Sequence, residues 1–268
     1  MAEIMMAVAG AGGRMGRMLV ATVAGVAGCR LVAASETPGS EHVGRDAGDV
    51  AGVGAVGVVI QPQAEALFGA GRVVIDFTSP QATLRHCDLA RRHATGLVIG
   101  TTGLKDSELG VVQAAARDVP IVFAPNYSVG INLMLKVVAQ VAATLGDAFD
   151  VEIIEAHHRH KVDAPSGTAL GLGRSVARAM RRDLGEVAVY AREGQTGVRK
   201  SGSIGFATVR GGDIVGDHTV LFAGEGERFE ITHKASSRMT FAQGAVKAAV
   251  WLAGKPPGFY TMNDVLGF

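Results

Sequence analysis

The sequence predicts an α/β protein: an N-terminal Rossmann-like, doubly wound parallel sheet, followed by a C-terminal α+β domain with a mixed sheet. Three observations predict it. Short apolar runs alternate with helical segments over the first half of the 268-residue chain, the pattern of a parallel sheet covered on both faces. The first run leads straight into a glycine-rich loop and a helix, as a dinucleotide fold begins. After about residue 182 the segments are strand-like and joined by glycine turns, which fits a mixed or antiparallel sheet.

Composition narrows the function. Lys and Arg total 26 and Asp and Glu 25, a formal charge of +1, so nothing global directs the chain to nucleic acid or an anionic membrane. At ~150 residues per domain the length allows one or two domains. Cys29 and Cys87 lie far apart without metal or redox spacing and read as buried or incidental thiols of a cytosolic protein. The apolar start, Ile4 to Ala9, follows an acidic residue and stops at glycines. It is too short for a signal peptide or for the ~20 apolar residues of a membrane span, and it reads as the first strand of a cytoplasmic protein.

That strand enters Gly10-Ala11-Gly12-Gly13-Arg14-Met15-Gly16, and a helix continues through Val23. Glycines let backbone approach a pyrophosphate closely, and a helix N-terminus offers it N–H groups and a partial positive charge. The loop departs from G-x-G-x-x-G, because Met15 holds the third position and the glycine falls at Gly16. The next strand, Arg30 to Glu36, ends in a carboxylate 20 residues past Gly16, where an acid takes the adenosine ribose hydroxyls. Glu36 therefore favours NAD. Thr37, not an arginine, follows it, so no basic side chain adjoins the acid to hold a 2′-phosphate. Arg14 either reaches such a phosphate or is a surface cation at the helix start, and use of NADH, NADPH or both stays open.

The glycine-rich stretch from Glu41 to Gly57 reads as a mobile connection. Further strands are expected over Arg72–Phe77, Gly96–Ile99 and Pro120–Phe123, with helices over Gln81–His93 and Lys105–Arg117. Their carboxyl ends, Phe77-Thr78, Gly100-Thr101-Thr102 and Ala124-Pro125-Asn126-Tyr127, fall where doubly wound sheets bind ligands. Either these turns line the nicotinamide half of a cofactor or, at Gly100 to Gly103, the chain merely turns tightly. A long apolar helix over Val129–Leu145 leads out of this domain.

From Phe149 to Glu155 apolar and acidic residues alternate, a strand that runs into Glu155-Ala156-His157-His158-Arg159-His160-Lys161-Val162-Asp163-Ala164-Pro165-Ser166-Gly167-Thr168-Ala169. Ser166 or Thr168 caps a helix reaching about Arg182. Strand end, basic loop and helix start together form an anion site. With His157, His158, His160 and Lys161 as added donors it suits a small substrate with more than one carboxylate. Two blander readings compete: a solvated basic turn, and a metal site, for which no nearby cysteine and no H-E-x-x-H helix supply ligands. Asp163 orients a neighbouring cation or holds the loop. His42, His86, His93, His218 and His233 read singly as surface or satisfied core residues. Strands are expected over Val187–Ala191, Ile204–Arg210, His218–Ala223 and Arg228–His233, and an open sheet of this kind is expected to pair with a second copy.

The glycine loop, Gly100-Thr101-Thr102-Gly103, Ala124-Pro125-Asn126-Tyr127-Ser128-Val129-Gly130 and above all Glu155 to Ala169 closely resemble the 4-hydroxy-tetrahydrodipicolinate reductase family, formerly called dihydrodipicolinate reductases. The match runs essentially end to end. The resemblance implies a cytoplasmic homotetramer with a dinucleotide domain, 1–128 with 240–268, and a substrate and oligomerisation domain, 129–239. It implies no metal. Gly10, Ala11, Gly12, Gly13, Arg14 and Met15 would hold the pyrophosphate, Glu36 the ribose, and Gly100, Thr101, Thr102, Ala124, Pro125, Asn126 and Tyr127 the nicotinamide end. His157 and Lys161 match proton donors, His158 a substrate-carboxylate ligand, and Gly167 and Thr168, with Ser166 before them, carboxylate donors. Many members carry an arginine where this chain has Thr37, which weakens the expectation of NADPH preference.

The implied reaction is NADH- or NADPH-dependent reduction of a cyclic imine with two carboxylates, in the diaminopimelate route to lysine. The alternative is a binding protein on the same fold that senses a dinucleotide and a diacid. Among enzymes a dehydrogenase of an amino-acid semialdehyde is the nearest rival; it would normally need a catalytic lysine-aspartate pair or a cysteine nucleophile, and neither cysteine stands in a suitable setting.

Overall fold

The computed structural model describes residues 3–70 and 73–268. In chain order the elements are β1 (Ile4–Ala9), α1 (Arg14–Gly25), β2 (Cys29–Ser35), α2 (Ala47–Ala51), β3 (Ile60–Gln61), α3 (Glu65–Ala70), β4 (Val73–Asp76), α4 (Pro80–Arg92), β5 (Gly96–Ile99), α5 (Asp106–Ala115) and β6 (Pro120–Phe123). There follow α6 (Val129–Leu145), β7 (Asp150–His157), α7 (Gly167–Ala179), α8 (Leu184–Val187), β8 (Ala188–Val189), β9 (Ile204–Arg210), β10 (Gly216–Ala223) and β11 (Arg228–Ala235). The chain ends with α9 (Met239–Leu252), β12 (Gly258–Tyr260) and α10 (Met262–Leu266). It forms two compact units, Met1–Ser128 with Met239–Phe268, and Val129–Arg238.

In the first unit seven strands run in the order β12-β6-β5-β4-β1-β2-β3, and the ladders between them are parallel. Period-two alternation distributes each strand between two cores. Met6 and Val8 join α1 and α9 residues such as Leu19, Val23, Ala245 and Leu252 on one face. Ala7 and Ala9 join Leu67, Cys87, Leu89 and Val112 of α3, α4 and α5 on the other. Burial on both faces explains why these strands read as unbroken apolar runs. The strand order reverses between β1 and β4, so a ligand-binding crevice is expected at their carboxyl ends.

Two sequence expectations change in this unit. The stretch from Glu41 to Gly57 is not a mobile connection. It folds around Asp46, whose carboxylate accepts the N–H groups of Gly48, Val56, Gly57 and Val58 at 2.8, 3.0, 2.8 and 3.1 Å and caps α2. Those donors, Val56 foremost, hold its carboxyl below the ordinary range despite some desolvation. Elements of two to six residues (α2, β3, α3, β12 and α10) are too short to carry a periodic signal. Of the strand expected over Arg72–Phe77, Val73–Asp76 forms, and Arg72 lies outside the described residues. Both thiols are free, Cys87 buried and Cys29 half-buried.

In the second unit the order is β11-β10-β7-β9-β8. Strand β10 runs antiparallel to β7 and β11, while β9 runs parallel to β7 and β8, so the sheet is mixed. Helices α6 and α7 cover one face through Met134, Val138, Leu172 and Val176 against Val151, Ile153, Phe206 and Val220. By length and hydropathy alone Val129–Ala148 could cross a membrane (mean hydropathy 1.5), but α6 contributes to this core. The other face of the sheet is uncovered in the single chain, with Ile154 39% and Val209 49% exposed. Helix α7 stops at Ala179 rather than near Arg182. The chain turns through Arg181 at φ +57°, and Arg182 N–H bonds Ala177 O at 2.8 Å.

Candidate active site

Alternation along β7 places Val151, Ile153, Glu155 and His157 on the face covered by α7. The apolar core thus passes, within one strand, into a polar cluster. Glu155 is 1% exposed. Arg210 grips it with both terminal nitrogens, Nη1 to Oε2 at 2.8 Å and Nη2 to Oε1 at 2.9 Å. Ser166 N–H donates to Oε1 at 2.9 Å, and His157 Nδ1 lies 2.5 Å from Oε2. Burial opposes ionisation of Glu155, but Arg210, His157 and the Ser166 N–H outweigh it and hold the carboxyl below its ordinary range. Arg210 is raised in return, chiefly by its bonds to Glu155. The β7–β9 register sets Arg210 beside His157.

Ser166 caps α7, its Oγ accepting from Ala169 N–H at 3.1 Å. Capping at the third N–H leaves that of Gly167, at the first helical position, available to a ligand. Thr168 follows, half-buried. Ser166 Oγ also lies 3.1 Å from His218 Nε2. His218 is paired with Glu155 across the β7–β10 ladder, and its ring meets that of His157 edge-on, 5.1 Å between centroids. Burial, reinforced by the charge of His157, pushes His218 down to about 4, so it is neutral at physiological pH. Gly216 borders the outer nitrogen of His157, where a Cβ would stand 3.1 Å from Nε2.

The basic loop is tied to the turn after β9: His158 N–H bonds Ile214 O at 2.8 Å, and Gly211 N–H bonds His157 O at 2.9 Å. His158 Nε2 lies 3.1 Å from Arg238 Nη2. Its pKa is lowered by desolvation first, then by the surrounding Arg238, His160, His157 and Lys161, and its Nε2 accepts from the guanidinium. Lys161 Nζ pairs with Asp163 at 2.8 Å, and that bond lowers the Asp163 carboxyl.

The structure therefore gathers His157, His158, Lys161, Ser166, Gly167 and Thr168 at one end of this unit. It adds Glu155, Arg210 and His218, to which the sequence had assigned no role, and brings Arg238 to the same place. Glu155 carried a usable signal, an acid two residues before His157 on the same strand face. Arg210 and His218 carried none, since only the sheet register brings them in.

In the other unit the glycine loop fits a dinucleotide. Gly10 adopts φ +67°, and a Cβ on Gly16 would fall 1.9 Å from Gly10 O, so no larger residue lets α1 start so close to the loop. Gly13 is the N-cap of α1 and supplies no side-chain cap, leaving the first N–H groups to an anion. Glu36 follows β2 and accepts from Gly12 N–H at 3.0 Å and Thr37 N–H at 2.8 Å. A groove of about 700 Å³ beside them is lined by Gly10, Gly13, Glu36, Thr37, Thr78 and His86 among others, and Arg85 of α4 also borders it. A guanidinium thus reaches this groove from a helix, although Thr37 follows the acid. Ala11 is buried, Gly12 backs onto His42, Arg14 is exposed, and Met15 packs on the core.

At the other strand ends, Thr102 and Pro125 are exposed and Asn126 is half-buried, whereas Ala124 and Thr101 are buried. Tyr127 is 1% exposed, and its hydroxyl donates to Ile99 O at 2.9 Å and Val122 O at 3.0 Å. Its side chain is therefore core, and only its backbone is left for a ligand. Gly100 lies against Phe77, whose ring a Cβ would meet at 2.2 Å.

Family comparison places this geometry. Residues 4–127 match the model for "Dihydrodipicolinate reductase, N-terminus" and residues 130–266 that for "Dihydrodipicolinate reductase, C-terminus". The chain belongs to the dihydrodipicolinate reductase family. It is 57% identical over 265 residues to the 4-hydroxy-tetrahydrodipicolinate reductase of Magnetococcus marinus, covering 99% of both chains. It is 58% identical over 261 residues to that of Alkalilimnicola ehrlichii, covering 97% of this chain and 98% of the relative. A dipicolinate-bound dihydrodipicolinate reductase from Paenisporosarcina sp. TG-14 superposes with a TM-score of 0.76 at 26% identity, covering 97% of both chains. As a dihydrodipicolinate reductase family member the chain is an oxidoreductase whose N-terminal unit is a nicotinamide-dinucleotide domain.

Proposed function

We propose that the chain reduces the cyclic imine 4-hydroxy-tetrahydrodipicolinate to tetrahydrodipicolinate with NADH or NADPH, the reductive step of the diaminopimelate route to lysine. Its first unit serves as the dinucleotide domain and its second as the substrate and oligomerisation domain. The observation that carries the mechanism is the Glu155–His157 pair at 2.5 Å: a buried carboxylate fixes one nitrogen of an imidazole whose other nitrogen borders Gly216. A sensor of dinucleotide and diacid needs no such oriented imidazole.

The substrate carries two carboxylates. His158 with Arg238, the Gly167 N–H and the Thr168 hydroxyl form the clamp for them, and Ser166 sets the clamp by capping α7. Dehydration of the hydroxylated ring gives a conjugated C=C–C=N system, and a nicotinamide cofactor held by the glycine loop and Glu36 would supply hydride for ring C4. The resulting enamine takes a proton at C3, and His157 and Lys161 are the groups that hold it. Glu155 keeps His157 in one tautomer and orientation, and Asp163 steers Lys161.

Glu36 is the acid for the adenosine ribose, which suits NADH, while Arg14 and Arg85 leave NADPH usable. Gly10 to Met15 take the pyrophosphate, and the backbone of Gly100 to Thr102 and Ala124 to Tyr127 the nicotinamide end. The uncovered sheet face, with Ile154 and Val209 exposed, supports assembly as a homotetramer, and the free thiols suit the cytoplasm.

The test follows loss of reduced-nicotinamide absorbance with the unstable substrate made in place from pyruvate and aspartate semialdehyde by its synthase. Turnover with NADH or NADPH, blocked by pyridine-2,6-dicarboxylate, supports the reductase. Binding of both ligands without turnover supports the sensor.

A further inference from the structure

We propose that Asp76, with Thr83 and His86, is a positioning device for the cofactor site, one buried carboxylate that holds the turns after β4 and β5 in register for the nicotinamide end. The proposal rests on the assignment of the first unit as a nicotinamide-dinucleotide domain.

Asp76 ends β4, the strand next to β1 at the point where the strand order reverses. It is fully buried, as are the neighbouring Val74 and Ile75, so its ionised form has only protein groups to replace water. Four donors do so. Oδ1 accepts from Thr78 N–H at 3.0 Å and Thr78 Oγ1 at 2.6 Å. Oδ2 accepts from Thr83 Oγ1 at 2.8 Å and faces His86 Nδ1 at 2.8 Å. Burial alone would raise this carboxyl, but His86 and the two threonines outweigh it and keep it low.

These partners belong to segments that border the cofactor groove. Thr78 and His86 line it directly. Thr83 Oγ1 lies 2.8 Å from Thr101 Oγ1 as well, and Thr78 N–H donates to Thr101 Oγ1 at 3.1 Å. Through two threonines, one carboxylate thereby fixes Thr101 in the turn after β5. The backbone of Asp76 acts in the same sense, its carbonyl accepting from Gly100 N–H at 2.8 Å. An apolar residue at position 76 would satisfy the core but could not align Thr78 with Thr101. Buried ionic groups add little net stability and are best understood where they specify an arrangement. Here the arrangement specified is that of two loops at a cofactor crevice. His86 thus acts as a hydrogen-bond partner of the buried carboxylate, while its chain neighbour Arg85 borders the groove.

The test uses the full chain and three variants: Thr83→Val, His86→Leu and His86→Gln. Dissociation constants for NADH, from its fluorescence, and for 5′-AMP, by calorimetry, are measured beside thermal unfolding. Thr83→Val and His86→Leu are expected to weaken NADH by about tenfold, the usual reach of a misplaced contact residue, with 5′-AMP within about twofold of wild type. His86→Gln, whose amide can still donate to Asp76, is expected to recover most of the loss. Unchanged NADH affinity in both variants would overturn the proposal. So would equal weakening of NADH and 5′-AMP with a lowered melting point, or His86→Gln as poor as His86→Leu. A wild-type chain that binds no NADH would instead overturn the dinucleotide assignment beneath it, and the proposal with it. Should one position fail to fold, the other decides, since each removes a different donor from the same carboxylate.

Discussion

His157 Nδ1 stands 2.5 Å from Glu155 Oε2, two residues back on the same face of β7. The contact divides the labour of the imidazole. Nδ1 is committed to a carboxylate that is itself held by Arg210 and the Ser166 N–H, and Nε2, which Gly216 borders, is the nitrogen left for chemistry. An oriented, carboxylate-backed imidazole is the arrangement expected of a general acid or base.

Replacing Glu155 by Gln should lower kcat by roughly 10²-fold, because the amide cannot hold the same tautomer or stabilise the imidazolium. The KM for the nicotinamide cofactor should hold, since Glu155 belongs to the other unit. Steady-state kinetics on the folded variant decide it, and a kcat within threefold of wild type would remove Glu155 from the mechanism.

His157→Gln and Lys161→Ala should each cost roughly 10²–10⁴-fold in turnover at saturating substrate, the range of general acid catalysis. The larger loss identifies the proton donor. If both variants keep more than a tenth of wild-type turnover, neither residue delivers the proton.

Arg210→Ala should destabilise the second unit by about 3–5 kcal/mol, because it strands a buried carboxylate with one cationic partner fewer. Arg210→Lys should recover only part of the loss, since an ammonium cannot make both bonds at 2.8 and 2.9 Å. Urea unfolding of the two variants measures this directly. Equal stability of wild type and Arg210→Ala would mean the pair only orients and does not stabilise.

The fold was legible where a pattern repeats. Unbroken apolar runs at β1, β4, β5 and β6, each followed by a helix, announced the parallel sheet, and the glycine loop announced its ligand edge. The Ala47–Ala51 helix was not legible, because a stretch rich in glycine is ordered by a single acid, Asp46, whose partners lie up to 12 residues away. In the site, the local cluster from His157 to Thr168 could be read directly. Arg210 and His218 could not, since they arrive by strand register from 55 and 52 residues beyond Glu155 and Ser166. Nor could Tyr127 be separated from its neighbours by sequence, although its ring is core while Pro125 is exposed and Asn126 half-buried.

Cofactor choice offers a separate test. Glu36 is positioned for ribose hydroxyls and repels a 2′-phosphate, so Glu36→Ala should weaken NADH and spare NADPH. Thr37→Arg should strengthen NADPH by about tenfold, the value of one charge-assisted contact near a surface. Dissociation constants for both cofactors check the pair. A Thr37→Arg chain with an unaltered ratio would place the 2′-phosphate elsewhere, with Arg85 or Arg14 as its partner.

His218 gives the second unit a pH dependence whose sign can be worked out. Burial and the neighbouring His157 depress its folded-state pKa to about 4 from 6.5, so the unfolded chain takes up this proton first on acidification. The stability it contributes is complete above 6.5 and is lost as pH falls from 6.5 to 4, by about 3 kcal/mol at 1.4 kcal/mol per pH unit. The charged and titratable groups facing it are His157, Glu155, His233 and Lys161, and they remain in His218→Gln. That variant should therefore lose about 3 kcal/mol less than wild type between pH 6.5 and 4, measured by urea unfolding at each pH. Parallel curves for the two chains would mean that His218 is protonated in the folded state, and that Ser166 accepts its proton rather than donating one.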